Sequence, residues 1–137
     1  MEIRPCASHE IEAVLELWRR ADAAPSVSDD EAGVGTLLGR DPQALLVAVD
    51  DGVLIGTLIA GFDGWRGTLA RLAVDPAHRR LGVATALLAA GEDRLRRLGA
   101  RRSSAIVIQS HEDAAGFWNA VGYAQDERVG RFVKDLP

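Results

Sequence analysis

The sequence predicts an α/β fold on a mixed, mostly antiparallel sheet flanked by helices, and three observations carry that expectation. β-rich segments at residues 45–49, 53–62 and 68–74 follow one another through short turns, which reads as an antiparallel meander. An amphipathic helix then separates residues 68–74 from another apolar segment at 105–108, and strand, helix and strand in that order imply one parallel pairing through a right-handed crossover. Further helical patterns precede the meander and follow the crossover.

The elements follow in order. Ser8 is a plausible N-cap for a helix to about Ala24, whose apolar residues Ile11, Val14, Leu15 and Trp18 share one face, and Pro25 ends it. Ser28-Asp29-Asp30-Glu31 reads as a capping box with Glu31 at the third helical position, opening a short helix to about Gly39. Asp50-Asp51-Gly52 is a hairpin signal between the first two meander strands, and Phe62 to Gly67 is a second turn. Val83, Leu87, Leu88, Leu95 and Leu98 mark the buried face of the crossover helix, which Gly99 ends, with Arg94, Arg96 and Arg97 placed where cations suit the helix dipole. Residues 113–120 read as a last helix, Gly122-Tyr123-Ala124 as the start of a strand, and residues 129–133 as the final strand. A homodimer through these final strands is a further expectation.

Composition narrows the function. With 137 residues, 47% hydrophobic and 26% charged, the chain is expected to be one domain, residues 1–137, with a real core. The opening residues lack the pattern of a signal peptide, and the apolar run at 44–49 is far short of a membrane span, so a cytoplasmic protein with no membrane partner is expected. Cys6 is the only cysteine, and His9, His78 and His111 are scattered, which argues against an internal disulfide and against a metal site. The formal net charge is -4, yet residues 66–102 hold nine arginines against three acids. An acidic chain with a basic centre suits a specific anion better than a polyanion, so no nucleic acid is expected as a partner.

That basic centre surrounds Arg79-Arg80-Leu81-Gly82-Val83-Ala84, where a strand gives way to a helix. The first N–H groups of a helix have no intrahelical acceptors, the macrodipole is positive there, and Gly82 with Ala84 leaves room for a phosphate. Arg79 and Arg80 add full charges.

With Leu72-Ala73-Val74-Asp75-Pro76 before it and Ala114-Ala115-Gly116-Phe117-Trp118-Asn119-Ala120-Val121-Gly122-Tyr123 after it, this order of elements resembles the GCN5-related N-acetyltransferase (GNAT) superfamily over essentially the whole chain. The segment from Ala60 to Gly67 and the short length resemble a group of small bacterial acetyltransferases close to YpeA. The resemblance implies the acyl-CoA N-acyltransferase fold, with a splay between the fourth and fifth strands. It implies transfer of the acetyl group of acetyl-CoA to a primary amine of a small molecule or peptide, by direct attack and without a metal. It places the pyrophosphate on N–H groups of Leu81, Gly82, Val83, Ala84 and Thr85, beside Arg79 and Arg80. It pairs the pantetheine arm with Leu72, Ala73 and Val74, and makes an N–H near Val74 the donor to the oxyanion, a task worth about 3 kcal/mol where such donors have been removed.

This chain departs from the family pattern in places. The usual proton donor to the thiolate is a tyrosine where Trp118 stands; an indole N–H donates hydrogen bonds but not protons at neutral pH, and Trp118 is then a wall for the pantetheine. Tyr123, the only tyrosine, is a candidate replacement or a packed strand residue. At the usual pantetheine-binding Asn stands Ser110-His111, so His111 is read as pantetheine donor, general base or helix N-terminal residue. Ile106 occupies the region of the frequent glutamate base, which leaves water-mediated deprotonation toward Asp63 or Glu31. Asp29, Asp30, Glu31 and Asp63 would favour a cationic amine, and Phe62, Trp65 and Trp118 would meet its apolar part; turns, caps and solvated surface account for the same acids. Two other readings are an acyl-CoA-binding module with little turnover, motivated by Trp118, and an acetylating toxin acting on charged transfer RNA, which the net acidity opposes.

Overall fold

The computed structural model describes every residue except Ser110 and Glu112 and resolves two compact units, Met1–Ile106 and Val107–Pro137. In the first unit, β1 (Glu2–Pro5), α1 (Ile11–Arg20), α2 (Glu31–Arg40), β2 (Leu45–Asp50), β3 (Val53–Phe62), β4 (Gly67–Val74), α3 (Val83–Leu98) and β5 (Ser103–Ala105) follow in order. The second holds α4 (Ala114–Ala120). The sheet runs β1-β2-β3-β4-β5, antiparallel throughout except for the parallel pair β4–β5.

Local chemistry sets the turns. Asp51 and Gly52 both take positive φ, 51° and 78°, which a two-residue hairpin between paired Asp50 and Val53 requires. At the next turn the Asp63 carboxylate accepts the N–H groups of Trp65 and Arg66, both at 2.8 Å. The helix starts differ from the sequence reading. Ser8 opens a single 3-10 turn, and the Ala7 N–H is met by the Glu10 carboxylate at 2.9 Å. α1 stops at Arg20 because the chain reverses through Asp22 at φ 55°, with the Ala23 N–H on the Trp18 carbonyl. Asp30, not Ser28, caps α2 by accepting the Gly33 N–H at 2.7 Å, which makes Glu31 the first helical residue.

Both sheet faces are covered. On one, Val14, Leu17, Trp18 and Val34 from α1 and α2 pack with Leu45, Val47 and Ala73. Cys6 joins that cluster, its thiol pushed up to about 11 by burial, which makes it a core residue and not a nucleophile. On the other, α3 turns Val83, Leu87, Leu88, Gly91 and Leu95 inward; a Cβ on Gly91 would lie 2.7 Å from Leu58 Cδ2, so helix and sheet meet closely there. Leu98, expected on this face, is exposed. Arg94, expected as a surface cation, is buried: it donates to the Ala60 carbonyl and to Asp41, each at 2.6 Å.

β5 lies two residues earlier than expected. Gly67, Thr68 and Leu69 pair with Ser103, Ser104 and Ala105, Ile106 donates its N–H to Leu69, and Ile106 itself is exposed. The ladder ends there, so residues 70–74 of β4 extend beyond β5. The predicted strands at 122–124 and 129–133 do not form: the described residues after α4 hold no strand or helix, and Val129, Phe132 and Val133 are exposed. The element on which a dimer was expected is therefore absent. Among the described residues no helix is long and apolar enough to cross a membrane.

Candidate active site

The site is built where β4 ends and α3 begins. Asp75 joins them: its carboxylate caps a 3-10 turn, Pro76–His78, by accepting the Ala77 N–H, and its charge is met by Arg20 at 3.0 Å. That Ala77 hydrogen bond, helped by Arg20, lowers the Asp75 pKa. Arg80 then takes φ 65° and Gly82 φ 79°, so the chain turns twice through the left-handed region before the helix starts. Arg80 carries the strain of that conformation and Gly82 adopts it freely.

No side chain caps α3, and its first backbone hydrogen bond runs from Ala86 to Gly82. The N–H groups of Val83, Ala84 and Thr85 are therefore left for an outside acceptor. Arg79, Arg80, Leu81 and Gly82 are exposed around them, and neither arginine has a carboxylate partner among the described residues. Uncapped N–H groups, a positive helix end and two free guanidinium groups together can bind a diphosphate.

Among the described residues of the first unit, the β4–β5 ladder ends at Leu69, so the strand edge beside this turn has no paired strand there. Asp75 donates its N–H to the Ile55 carbonyl at 2.8 Å, and Val74 stands opposite Gly56. Antiparallel strands alternate the direction of their N–H groups, so that of Val74 points away from β3, to the side where the ladder with β5 has already ended. An extended ligand laid along Leu72, Ala73 and Val74 would meet that donor.

The other candidates are placed as follows. Glu31 is exposed at the start of α2, and Asp29 bonds Arg71 at 2.6 Å. Phe62 ends β3 and Asp63 and Trp65 lie in the turn that follows it, at the opposite end of β4 from Val74, about 20 Å along the strand. The two backbone N–H groups on its carboxylate, Arg66 first and then Trp65, lower the Asp63 pKa and suit it to the turn rather than to proton abstraction.

The second unit holds His111, Trp118 and Tyr123. The His111 N–H bonds the Ile108 carbonyl at 3.2 Å, and its own carbonyl accepts from Ala114, so its backbone leads into α4; Ser110, its partner in the sequence reading, lies outside the described residues. Trp118 is buried with its ring edge-on to Phe117 at 5.4 Å and to Tyr123 at 5.0 Å. Gly122 at φ 97° ends α4, the Tyr123 N–H returns to the Trp118 carbonyl and the Gly122 N–H to Asn119. This turn explains the Gly-Tyr pair without a strand: glycine supplies the left-handed residue, and the tyrosine packs back onto the helix.

One buried group escaped the sequence reading. Thr57 is fully buried in β3, accepts from Trp18 Nε1 at 2.9 Å and donates to the Arg71 carbonyl at 2.8 Å. The signals were a lone hydroxyl inside Leu54-Ile55-Gly56-Thr57-Leu58-Ile59 and a lone arginine in β4.

Comparison with known proteins decides the family. The profile of the acetyltransferase (GNAT) family matches residues 10–123. This chain belongs to the GNAT family. An acetyltransferase of Pectobacterium atrosepticum is 32% identical over 123 residues, which cover 90% of this chain and 87% of that protein. Among solved structures, the PaiA N-acetyltransferase of Thermoplasma acidophilum in complex with coenzyme A superposes with a TM-score of 0.80 at 17% identity, covering 94% of this chain and 92% of that one. An aminoglycoside 6'-N-acetyltransferase of Acinetobacter haemolyticus superposes with a TM-score of 0.74 at 23% identity, over the whole of both chains. The GNAT chain is accordingly an acyltransferase, with a mixed five-stranded sheet.

Proposed function

We propose that this GNAT protein, acting as one domain over residues 1–137, transfers the acetyl group of acetyl-CoA to a primary amine of a small molecule or peptide. The observation that carries the reading is the uncapped start of α3, with Gly82 at φ 79° and Arg79 and Arg80 without a carboxylate partner among the described residues, next to the edge of β4 beyond the β5 ladder. The coenzyme A complex of the Thermoplasma relative supports the cosubstrate, and the aminoglycoside relative supports an amine acceptor.

In this reading the N–H groups from Leu81 to Thr85 and the two arginines hold the pyrophosphate, and the edge at Leu72, Ala73 and Val74 pairs with the pantetheine arm. Acetyl-CoA supplies an activated thioester. The amine attacks the thioester carbon directly, without an acyl-enzyme, and the Val74 N–H donates to the oxygen as its negative charge grows. Trp118 walls the pantetheine. His111 either bonds that arm or takes the amine proton through water. The departing thiolate takes its proton from water or from Tyr123.

A calorimetric titration with acetyl-CoA, with ATP as the control for simple anion attraction, tests the carrying observation. Saturable micromolar binding, weak for ATP and lost in Gly82→Asp, supports the reading; no binding by the parent protein overturns it. Gly82→Asp strains a left-handed position and adds a negative charge where the phosphates would lie, so a loss of at least about 10-fold in affinity is expected.

Trp118 at the position of the family's usual acid favours one alternative, a coenzyme A-binding module with little turnover. Thiol release over an amine panel separates the two. Turnover that rises in Trp118→Tyr supports the enzyme, and binding without turnover in either form supports the module.

A further inference from the structure

β4 contains a register change that decides which backbone N–H faces the open edge. Thr57 pairs with Ala73 but Ile59 pairs with Ala70, so Arg71 and Leu72 together oppose Leu58 alone. This is a β-bulge, and Arg71 occupies its left-handed position at φ 54°, where glycine is the usual residue. Without the extra residue, Leu72 would oppose Thr57 and every N–H beyond it would be displaced by one place. Ala73 would then face the open edge, and Val74 would turn toward β3.

The φ of 54° is strained for an arginine, and three contacts hold Arg71 there. The buried Thr57 hydroxyl donates to the Arg71 carbonyl, Arg71 Nη2 bonds Asp29 at 2.6 Å, and the guanidinium lies 5.2 Å from the centre of the Trp18 ring. Trp18 Nε1 in turn donates to Thr57 Oγ1, which directs the single hydroxyl proton toward Arg71. The other two contacts hold the arginine side chain; the hydroxyl alone holds the bulged peptide itself.

We propose that Thr57 is a positioning residue for acetyl transfer: its hydroxyl locks the bulge at Arg71 and so keeps the Val74 N–H on the open edge of β4. Thr57 itself touches no reacting atom. The inference rests on the proposed role of Val74, so its test needs a readout independent of turnover.

Amide hydrogen exchange followed residue by residue supplies it. In the parent protein Ala73 and Asp75, directed at β3, are expected to exchange slowly and Val74 quickly. Thr57→Val, nearly isosteric but without the hydroxyl, is expected to reverse the order of Ala73 and Val74, and Thr57→Ser to restore it. With acetyl-CoA and the best amine of the panel, Thr57→Val is expected to lose about 100-fold in kcat with the KM for acetyl-CoA within about twofold, the pattern of a lost oxyanion donor. Trp18→Phe, which removes the indole donor but keeps the Thr57–Arg71 bond, controls for stability: it should lower the melting temperature while leaving the exchange order intact.

An unchanged exchange order in Thr57→Val overturns the proposal, as does equal loss of kcat in Trp18→Phe and Thr57→Val. A reversed order with unchanged kcat leaves Thr57 as the register lock but removes Val74 from the chemistry, which overturns its positioning role. No turnover in the parent protein counts against the acetyltransferase reading alone, because the exchange order still tests the lock.

Discussion

Arg4 holds the Glu10 carboxyl at about 2, first through a side-chain hydrogen bond; burial opposes that shift and the Ala7 N–H adds to it. A carboxyl whose folded pKa is lowered from 4.5 contributes stability that is complete above that value and is lost as the pH falls toward 2. The Arg4 side chain is 35% exposed, so solvent screening reduces the contribution to about 1–2 kcal/mol. Glu10→Gln should therefore lose about that much near neutrality and flatten the acid limb of the stability curve below pH ~4.5, measured by urea unfolding at several pH values. If the parent and Glu10→Gln lose stability in parallel over that range, the ion pair is not its source.

At the scale of elements, a buried polar contact inside an apolar face helps tie α3 to the sheet. Arg94 bonds the Ala60 carbonyl of β3 and the Asp41 carboxylate after α2. Arg94→Ala leaves a buried carbonyl without a donor and a carboxylate without its cation, and should cost about 3 kcal/mol. Arg94→Met, which keeps much of the volume, should cost less; a parent-like thermal midpoint in Arg94→Met would show that the polar contact contributes nothing beyond packing. Arg94 also marks what sequence patterns convey. The β2–β3 hairpin was legible because Asp51 and Gly52 tolerate the left-handed backbone that a two-residue turn needs. The open start of α3 was legible for the same kind of reason, since Gly82 and the arginines carry local signals. Arg94 was misread because its position near the helix end suits a surface cation equally well, and only tertiary packing buries it. The bulge at Arg71 was illegible because an arginine carries no preference for φ 54°; it is held there by Trp18, Thr57 and Asp29, all distant in sequence. Residues 129–133 misled in the opposite direction: β-branched and aromatic residues raise strand propensity, but propensity without a pairing partner does not make a strand.

For the molecule as a whole, charge is unevenly distributed: residues 66–102 are strongly basic within a chain of net charge -4. Much of that basic charge is already answered, since Arg71, Arg94 and Arg97 pair with Asp29, Asp41 and Asp93. Arg79 and Arg80, exposed at the start of α3, have no carboxylate partner among the described residues and provide charge there. Acetyl-CoA affinity should therefore fall several-fold when salt rises from ~50 mM to ~500 mM, because exposed charge is screened over a shorter distance. Affinity insensitive to salt would assign recognition to the backbone N–H groups alone.

Residues 70–74 of β4, which extend past the end of the β5 ladder, have a second consequence. A strand edge with unsatisfied donors and acceptors is also a template for association between chains. A ligand laid along this edge, as the proposed function requires, would cover those groups and should slow association between chains. On the proposed function, acetyl-CoA should then lengthen the working life of the folded protein, and its depletion should shorten that life as well as the output.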